Sequence, residues 1–402
     1  MSELERPWIV DSGTGENPHD DDNKLFRRLV TPEIVCNFRA AQVPVSRIPE
    51  GFIVDPAAGS GGQLAAYAER LWKGCIGVEL SPKRALSCAN SLSRLREGSK
   101  AVAICGNGLD SKGVMSLVRE KMGDVKISML HVDPARPVDA QNHSISEMEP
   151  PLRPLLEAWS EYMEDGRFGV SLLLDLSPRL AFEQRMEVES IVRDLFPSVN
   201  VMWEWLSRGG GRVDRLTLHT GGLAQKDGET RCVRLHRDGS FDSLSGKVRA
   251  NPVKWLDFDP VIGEILALVD PVVIQSGLNV AYEVGAGQEG EVKWVKNSDR
   301  RPMAILDEEL PISCISRAFT QICGRVEERI EGPLDLMMLD SLASSAMKHG
   351  LSNVQIRCAC DPQLHTNIVS RLDSILRDIE GESGFLVDSP GRKSLLLCRK
   401  LN

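Results

Sequence analysis

Over its first half the chain alternates short apolar runs with amphipathic stretches, and the two periods separate cleanly. Phe52-Ile53-Val54-Asp55 reads as a buried strand that runs into Ala57-Ala58-Gly59-Ser60-Gly61-Gly62, with a helix over 63–72. Residues 75–79 form a second strand, and Pro82 opens a helix at its first turn that reaches about Leu95. Strands follow at 101–105, 127–132 and 168–175, each leading to a helix, at 112–121, 155–163 and 182–196. Such alternation predicts a parallel sheet covered on both faces. Ahead of it, 25–48 reads as mainly helical, with Pro32 following a Thr31 cap.

Beyond Pro197 the texture changes. Residues 199–206 and 215–219 read as strands around Gly209-Gly210-Gly211, a hairpin that closes the sheet antiparallel. Residues 221–250 are polar and Gly-rich with one strand at 231–236, and Asp259-Pro260 caps a helix reaching Val269. The remainder carries helices at 312–330, 334–348 and 363–380 and strands at 353–359 and 393–399. The expected fold class is therefore α/β: a mostly parallel sheet with an antiparallel closing strand, then a smaller C-terminal α+β domain. The expected bounds are a flexible acidic lead-in over 1–24, the sheet domain over 25–250, a connecting helix and linker over 251–294, and a separable α+β domain over 295–402.

Composition narrows the function classes. With 42% apolar and 26% charged residues the chain has the make-up of a soluble globular protein. No apolar run approaches the roughly 20 residues of a membrane helix. The polar start, with Asp20-Asp21-Asp22, does not read as a signal peptide, so a cytoplasmic location is expected. Ten cysteines include no C-x-x-C pair, and the closest spacing is Cys358-Ala359-Cys360, so buried free thiols are expected. Seven histidines form no H-x-x-x-H pair, and no metal site is expected. A net charge of −9 argues against clinging to nucleic acid over the whole surface. It leaves room for a local basic group, of which Arg208, Arg212 and Arg215 around the glycine run, with Arg136 and Arg179, are the candidates. Trp203 and Trp205 read as packing residues on a strand, and Asp175 and Glu183 as caps.

The strongest chemical signal is the glycine loop after the first strand, followed by Glu79 at the end of the second. The glycines let the backbone turn sharply and approach a ligand, and an acid 24 positions after Asp55 is placed to accept hydrogen bonds from a ribose diol. The loop lacks both the G-x-G-x-x-G order of dinucleotide binders and the Gly-Lys-Ser/Thr of a P-loop. Asp55-Pro56-Ala57-Ala58-Gly59-Ser60-Gly61-Gly62 instead resembles motif I of class I methyltransferases of the Rossmann-like type. That resemblance implies S-adenosyl-L-methionine as cofactor, with Asp55, Ala57, Gly59 and Gly61 along it and Glu79 on its ribose, followed by Leu80. Asn107 falls where the family commonly carries an aspartate for the adenine amino group.

The fourth strand ends in His131-Val132-Asp133-Pro134-Ala135-Arg136, which resembles the Asp-Pro-Pro-Tyr-type motif IV without its stacking aromatic. Asp133 is the expected acceptor-facing and donor-facing acid, and Arg136 its catalytic neighbour. Taken with Leu176-Ser177-Pro178-Arg179-Leu180, Asp257-Phe258-Asp259-Pro260 and Ser394-Leu395-Leu396-Leu397-Cys398-Arg399-Lys400, the pattern is similar to prokaryotic methyltransferase-like proteins with a C-terminal THUMP-like domain. This chain departs from that family in having Asp175 where a lysine usually precedes Leu-Ser-Pro, and Pro137 in place of a second arginine after Arg136. The resemblance implies methylation of RNA, a tRNA or rRNA. A non-catalytic donor-binding RNA or assembly protein and a small-molecule methyltransferase stay open as alternatives, and nothing points to DNA or a membrane.

Overall fold

In the computed structural model, which describes residues 6–12, 31–70, 73–95, 100–135, 144–248, 253–298 and 300–401, the chain divides into two units. Unit 1 comprises Met1–Trp205, Arg215–Glu229 and His236–Ser240; unit 2 comprises Leu206–Asp214, Thr230–Leu235 and Phe241–Asn402. The strands of the first half are β1 (Trp8–Val10), β2 (Phe52–Asp55), β3 (Gly74–Glu79), β4 (Lys100–Cys105), β5 (Ile127–Val132), β6 (Leu172–Leu176), β7 (Val201–Ser207) and β8 (Arg215–Thr220). Between them run α1 (Glu33–Gln42), α2 (Gly62–Ala68), α3 (Pro82–Leu92), α4 (Ser111–Met122), α5 (Leu152–Ser160) and α6 (Phe182–Leu195).

The eight strands follow one another in the order β1-β4-β3-β2-β5-β6-β8-β7. β2, β3, β5 and β6 are buried at every position, which is what strands covered on both faces require. β4, β3, β2, β5 and β6 are parallel, and β8 runs antiparallel against β6, pairing Asp175 with Thr217. This is the expected mostly parallel sheet with an antiparallel closing strand. On one face Leu64 and Tyr67 of α2 pack with Ile53, Cys75, Cys88, Met129 and Leu173.

Two local expectations fail in this unit. Trp8–Val10, expected within a flexible lead-in, pairs antiparallel with β4 through Trp8 and Cys105. A three-residue strand flanked by charge carries no period that a sequence reading can detect. Residues 1–5 and 13–24 of that lead-in lie outside the described residues. Pro32, not Thr31, is the N-cap of α1, and the Thr31 hydroxyl accepts a hydrogen bond from Arg215 at 2.6 Å.

Unit 2 holds the hairpin of β9 (Thr230–Leu235) and β10 (Phe241–Gly246). It also holds a mainly antiparallel sheet of β11 (Trp255–Leu256), β12 (Ile265–Val269), β13 (Lys293–Ser298), β14 (Arg301–Leu306), β15 (Thr320–Glu331), β16 (Leu351–Ile356), β17 (Glu382–Asp388) and β18 (Ser394–Lys400). Their order is β11-β13-β14-β12-β15-β18-β17-β16. Helices α7 (Pro271–Gln275), α8 (Asn279–Ala286), α9 (Leu339–Lys348) and α10 (Pro362–Leu376) complete it, with Leu339, Leu342, Ile368 and Leu372 packed against Leu351, Leu386 and Leu397.

Here the secondary-structure expectations are corrected more heavily. Residues 265–269, expected to end a helix, are the fully buried strand β12, because five consecutive apolar residues fit a buried strand as well as a helix. Residues 320–330, expected as the larger part of a helix over 312–330, belong to the long strand β15, whose burial alternates from Ile322 to Val326. The segment 251–294, expected as a connecting helix and linker, supplies β11, β12, α7, α8 and the start of β13.

Asp270 shows how unit 2 is tied together. Its carboxylate, almost fully buried, accepts from Ser207 Oγ at 2.7 Å, Arg234 Nη1 at 2.6 Å and Val272 N at 3.1 Å, capping α7. Removing it strands a largely buried guanidinium and uncaps a helix, so Asp270→Ala is expected to destabilise unit 2 by about 3 kcal/mol or more. Chemical denaturation followed by circular dichroism measures this; a loss within about 0.5 kcal/mol, the ordinary surface range, contradicts the assignment.

Candidate functional site

Because β2 to β6 are parallel, the loops that follow them gather along one edge of the sheet, where open α/β sheets bind ligands. The loop after β2 is shaped from within. Asp55 Oδ1 accepts from Ala57 N at 3.0 Å, Ala58 N donates to Val78 O at 2.9 Å, and Gly61 N donates to Ala58 O at 2.8 Å. Gly61 is the N-cap of α2 with φ +75°, and a Cβ there would lie 2.7 Å from Cys88 Sγ, so only glycine suits this turn. Gly59, at φ +55°, stands differently: the space where its Cβ would project is open.

Glu79 joins this loop to the end of β3. Its Oε2 accepts from Gly59 N at 3.0 Å and its Oε1 from Ser81 N at 2.8 Å. Each carboxylate oxygen keeps a further lone pair for a ligand hydroxyl. Leu80 follows at 65% exposure, an apolar side chain set beside a fixed acid. Across from it the loop after β4 lies against Pro56: a Cβ on Gly108 would meet Pro56 O at 2.1 Å. Trp159 Nε1 secures that approach by donating to Gly108 O at 2.8 Å. Asn107 uses its side-chain oxygen locally, accepting from Leu109 N at 2.9 Å, so one lone pair of that oxygen remains.

Behind these loops lies a buried polar chain. His131, on β5, places Nδ1 2.6 Å from Asp55 Oδ2 and Nε2 3.2 Å from Asp175 Oδ2. Arg39, from α1, pairs with both oxygens of Asp175, and Thr217 Oγ1 donates to Asp175 Oδ1 at 2.8 Å. Burial alone would lower the His131 pKa, but the Asp55 charge and the hydrogen bonds to Asp175 and Asp55 outweigh it and raise the value to about 9. Burial likewise opposes the Asp175 charge, yet Arg39 and the His131 hydrogen bond hold that carboxyl well below the usual carboxylate range. Asp133, just past β5, is a third exposed and stands 3.6 Å from Arg215. Desolvation, then the Asp175 charge, raises its carboxyl against the opposing pull of Arg215, His131 and Arg39.

The structure thus brings together Asp55, Ala57, Gly59, Gly61, Glu79, Leu80, Asn107 and Asp133 along one edge, while Arg136 lies outside the described residues. Asp55 is turned inward, its two oxygens engaged by Ala57 and His131, so it shapes the loop and does not face the open edge. The arginines around the glycine run are already engaged. Arg208 and Arg212 pair with Asp214 at 3.0 and 3.6 Å, and Arg215 pairs with Asp133. Sequence reasoning missed Arg39 and His131 and took Asp175 for a cap. One signal was present: a histidine inside a fully buried, largely apolar strand, two positions before Asp133.

The raised His131 pKa has a sign. Protonated His131 stabilises the fold fully below its unfolded value of 6.5, and the contribution is lost as pH rises through about 9. Over that window the native chain is expected to lose about 3 kcal/mol that His131→Gln does not lose, the variant being the less stable at pH 6. Urea denaturation at pH 6 and pH 9.5 measures the difference; equal pH dependence in both proteins contradicts a charged His131.

No family model matches the chain, and no curated protein matches it by sequence. Among solved structures, a protein from Porphyromonas gingivalis W83 assigned as a methyltransferase is similar over 94% of this chain and 83% of its own, at 17% identity and a TM-score of 0.59. SMU.1697c from Streptococcus mutans, assigned as a methyltransferase and solved in complex with SAH (S-adenosylhomocysteine), is similar over 48% of this chain and 98% of its own, at 11% identity and a TM-score of 0.31. PH1948 from Pyrococcus horikoshii, assigned as an RNA methyltransferase, is similar over 47% of this chain and 81% of its own, at 14% identity and a TM-score of 0.30. At these identities the likeness is one of fold: an α/β chain with a mixed, mostly parallel methyltransferase-like N-terminal sheet and a second, mainly antiparallel sheet.

Proposed function

We propose that this chain is an S-adenosylmethionine-dependent methyltransferase acting on RNA. The observation that carries the reading is Glu79, fixed by Gly59 N and Ser81 N beside a glycine loop and an exposed Leu80. These features suit the donor: a carboxylate with free lone pairs for the ribose diol, an apolar side chain for adenine, and Asn107 across the loop for the adenine amino group. The donor supplies an activated methyl group on a sulfonium, so the protein's task is positioning and the handling of one proton. Asp133 is suited to that proton. Its carboxyl, raised and partly open, accepts a hydrogen bond from the acceptor's N–H or O–H and takes the proton released as the methyl group arrives. Asp55 acts indirectly, holding the loop from below.

RNA as acceptor follows from the resemblance of the Asp133-Pro134-Ala135 segment and the C-terminal motifs. A second reading, a donor-binding protein without transfer, is favoured by one observation. The fourth position of the motif, where the Asp-Pro-Pro-Tyr type carries its aromatic, is Arg136 in this sequence, and Ala135 ahead of it is locked to Glu149 by two backbone hydrogen bonds of 2.9 and 3.0 Å.

Two measurements test the proposal. Loss of one charge-assisted contact of about 1.5–3 kcal/mol should make Glu79→Ala bind the donor at least about tenfold more weakly by calorimetry, and unchanged affinity in the folded variant removes the site. Incubation with methyl-labelled donor and cellular RNA, protein and metabolite fractions should label RNA. Label confined to metabolites replaces RNA with a small molecule, and donor binding with no label in any fraction selects the second reading.

A further inference from the structure

At the first turn of α6, six residues beyond the end of β6, Phe182 stands 55% exposed, and Met186 one turn later is 39% exposed. Between them Arg185 lies with its guanidinium carbon 5.5 Å from the Phe182 ring centroid and 5.1 Å from that of Trp205. Arg185 Nε is buried without a hydrogen-bond partner among the described residues, and so is Nε1 of the buried Trp205. Burial pulls the Arg185 pKa down, and Glu183 opposes this by charge alone, with no ion pair among the described residues.

The same helix face shows what a satisfied version looks like. Two turns on, Arg193 donates to Glu189 at 3.0 Å, and Trp203 Nε1, two residues back along β7, donates to Glu189 at 3.3 Å. At Arg185 and Trp205 no such carboxylate is supplied. A partly buried guanidinium with an unpartnered Nε, beside an orphaned N–H, costs stability, and such groups in a folded protein call for a partner. β5 and β6 are parallel neighbours, with Val132 opposite Leu174, so the loop that leads from β6 into α6 starts beside the segment carrying Asp133.

We infer that Phe182, Arg185 and Trp205 form the acceptor-side slot of the chain, taking one unstacked base of a single-stranded nucleic acid on the Phe182 ring and its adjoining phosphate on Arg185. The inference rests on the methyl-acceptor reading above. It supplies from α6 the aromatic that the segment after Asp133 lacks, and a cation to replace the arginines already engaged by Asp214 and Asp133. Stacking accepts any base, and a guanidinium suits a phosphate, the pairing that single-strand-binding surfaces use.

The test uses the full chain and fluorescein-labelled 12-mers of mixed sequence, one RNA and one DNA, read by anisotropy across salt with SAH present. Phe182→Ala should weaken binding about tenfold with the salt slope unchanged. Arg185→Gln should weaken it and flatten the slope by about 0.7, the share of one phosphate on a single strand, and Arg185→Lys should restore the slope. SAH affinity, measured separately, should stay at the native value in all three variants, and the 12-mer bound tighter identifies the strand type. The inference is overturned if Phe182→Ala and Arg185→Gln bind both 12-mers as the native chain does. It is also overturned if the native chain binds SAH but neither 12-mer. If SAH binding alone is absent while the 12-mer results hold, the donor reading fails and the slot stands.

Discussion

The arrangement depends first on a set of charges buried inside a sheet. Asp55, His131, Asp175 and Arg39 are each at most 4% exposed, and together they set two carboxylates against two cations across α1, β2, β5 and β6, with Thr217 adding β8. Ions in such a place are tolerated only when each is paired and hydrogen-bonded, and removing one partner costs about 3–5 kcal/mol because the other is left bare. The geometry of the four groups is therefore strongly constrained, and so are the strand ends that carry them. Buried pairs of this kind are weak sources of net stability compared with apolar packing. Their worth here is in fixing where strands end.

From that constraint the open edge follows. Asp55 holds the β2 loop through Ala57, which leaves Gly59 free to present its N–H to Glu79, and Glu79 in turn secures Ser81 at the start of α3. Asp175 and His131 set the electrostatic surroundings of Asp133, the first partly open carboxyl beyond the buried chain. Glu79 on one side and Asp133 on the other are thus positioned by a common interior. A partly open carboxyl beside a buried like charge, next to a glycine loop, is the kind of pairing that functional sites build at the cost of stability.

Much of this was legible in the sequence, and the parts that were not share a physical cause. Parallel strands buried on both faces appear as short apolar runs, and each is punctuated by a glycine loop, a proline or an acid, so β2 to β6 and the loop from Pro56 to Gly62 could be read directly. Ile265–Val269 is equally apolar but has no period to separate strand from helix, and the neighbouring Asp259-Pro260 mimics a helix start. In β15 Gln321, Cys323, Arg325 and Glu327 occupy the less buried positions, and their alternation with Ile322, Gly324 and Val326 was hidden by the run of Glu and Arg that follows, which are good helix formers. The buried charges were hardest to find. Arg39 sits among ordinary helical residues, and its partner is 136 positions away, a pairing no local pattern encodes.

The central claim is that the loops after β2, β3 and β4 hold an S-adenosyl donor with its sulfur directed toward Asp133. The most direct test is a crystal structure of the chain soaked with SAH. The account predicts the ribose hydroxyls on Glu79, the adenine ring against Leu80 within reach of Asn107, and the sulfur facing the Asp133 carboxyl. SAH bound elsewhere on the chain, or an ordered, undisturbed Glu79 loop that holds none at saturating concentration, would contradict it.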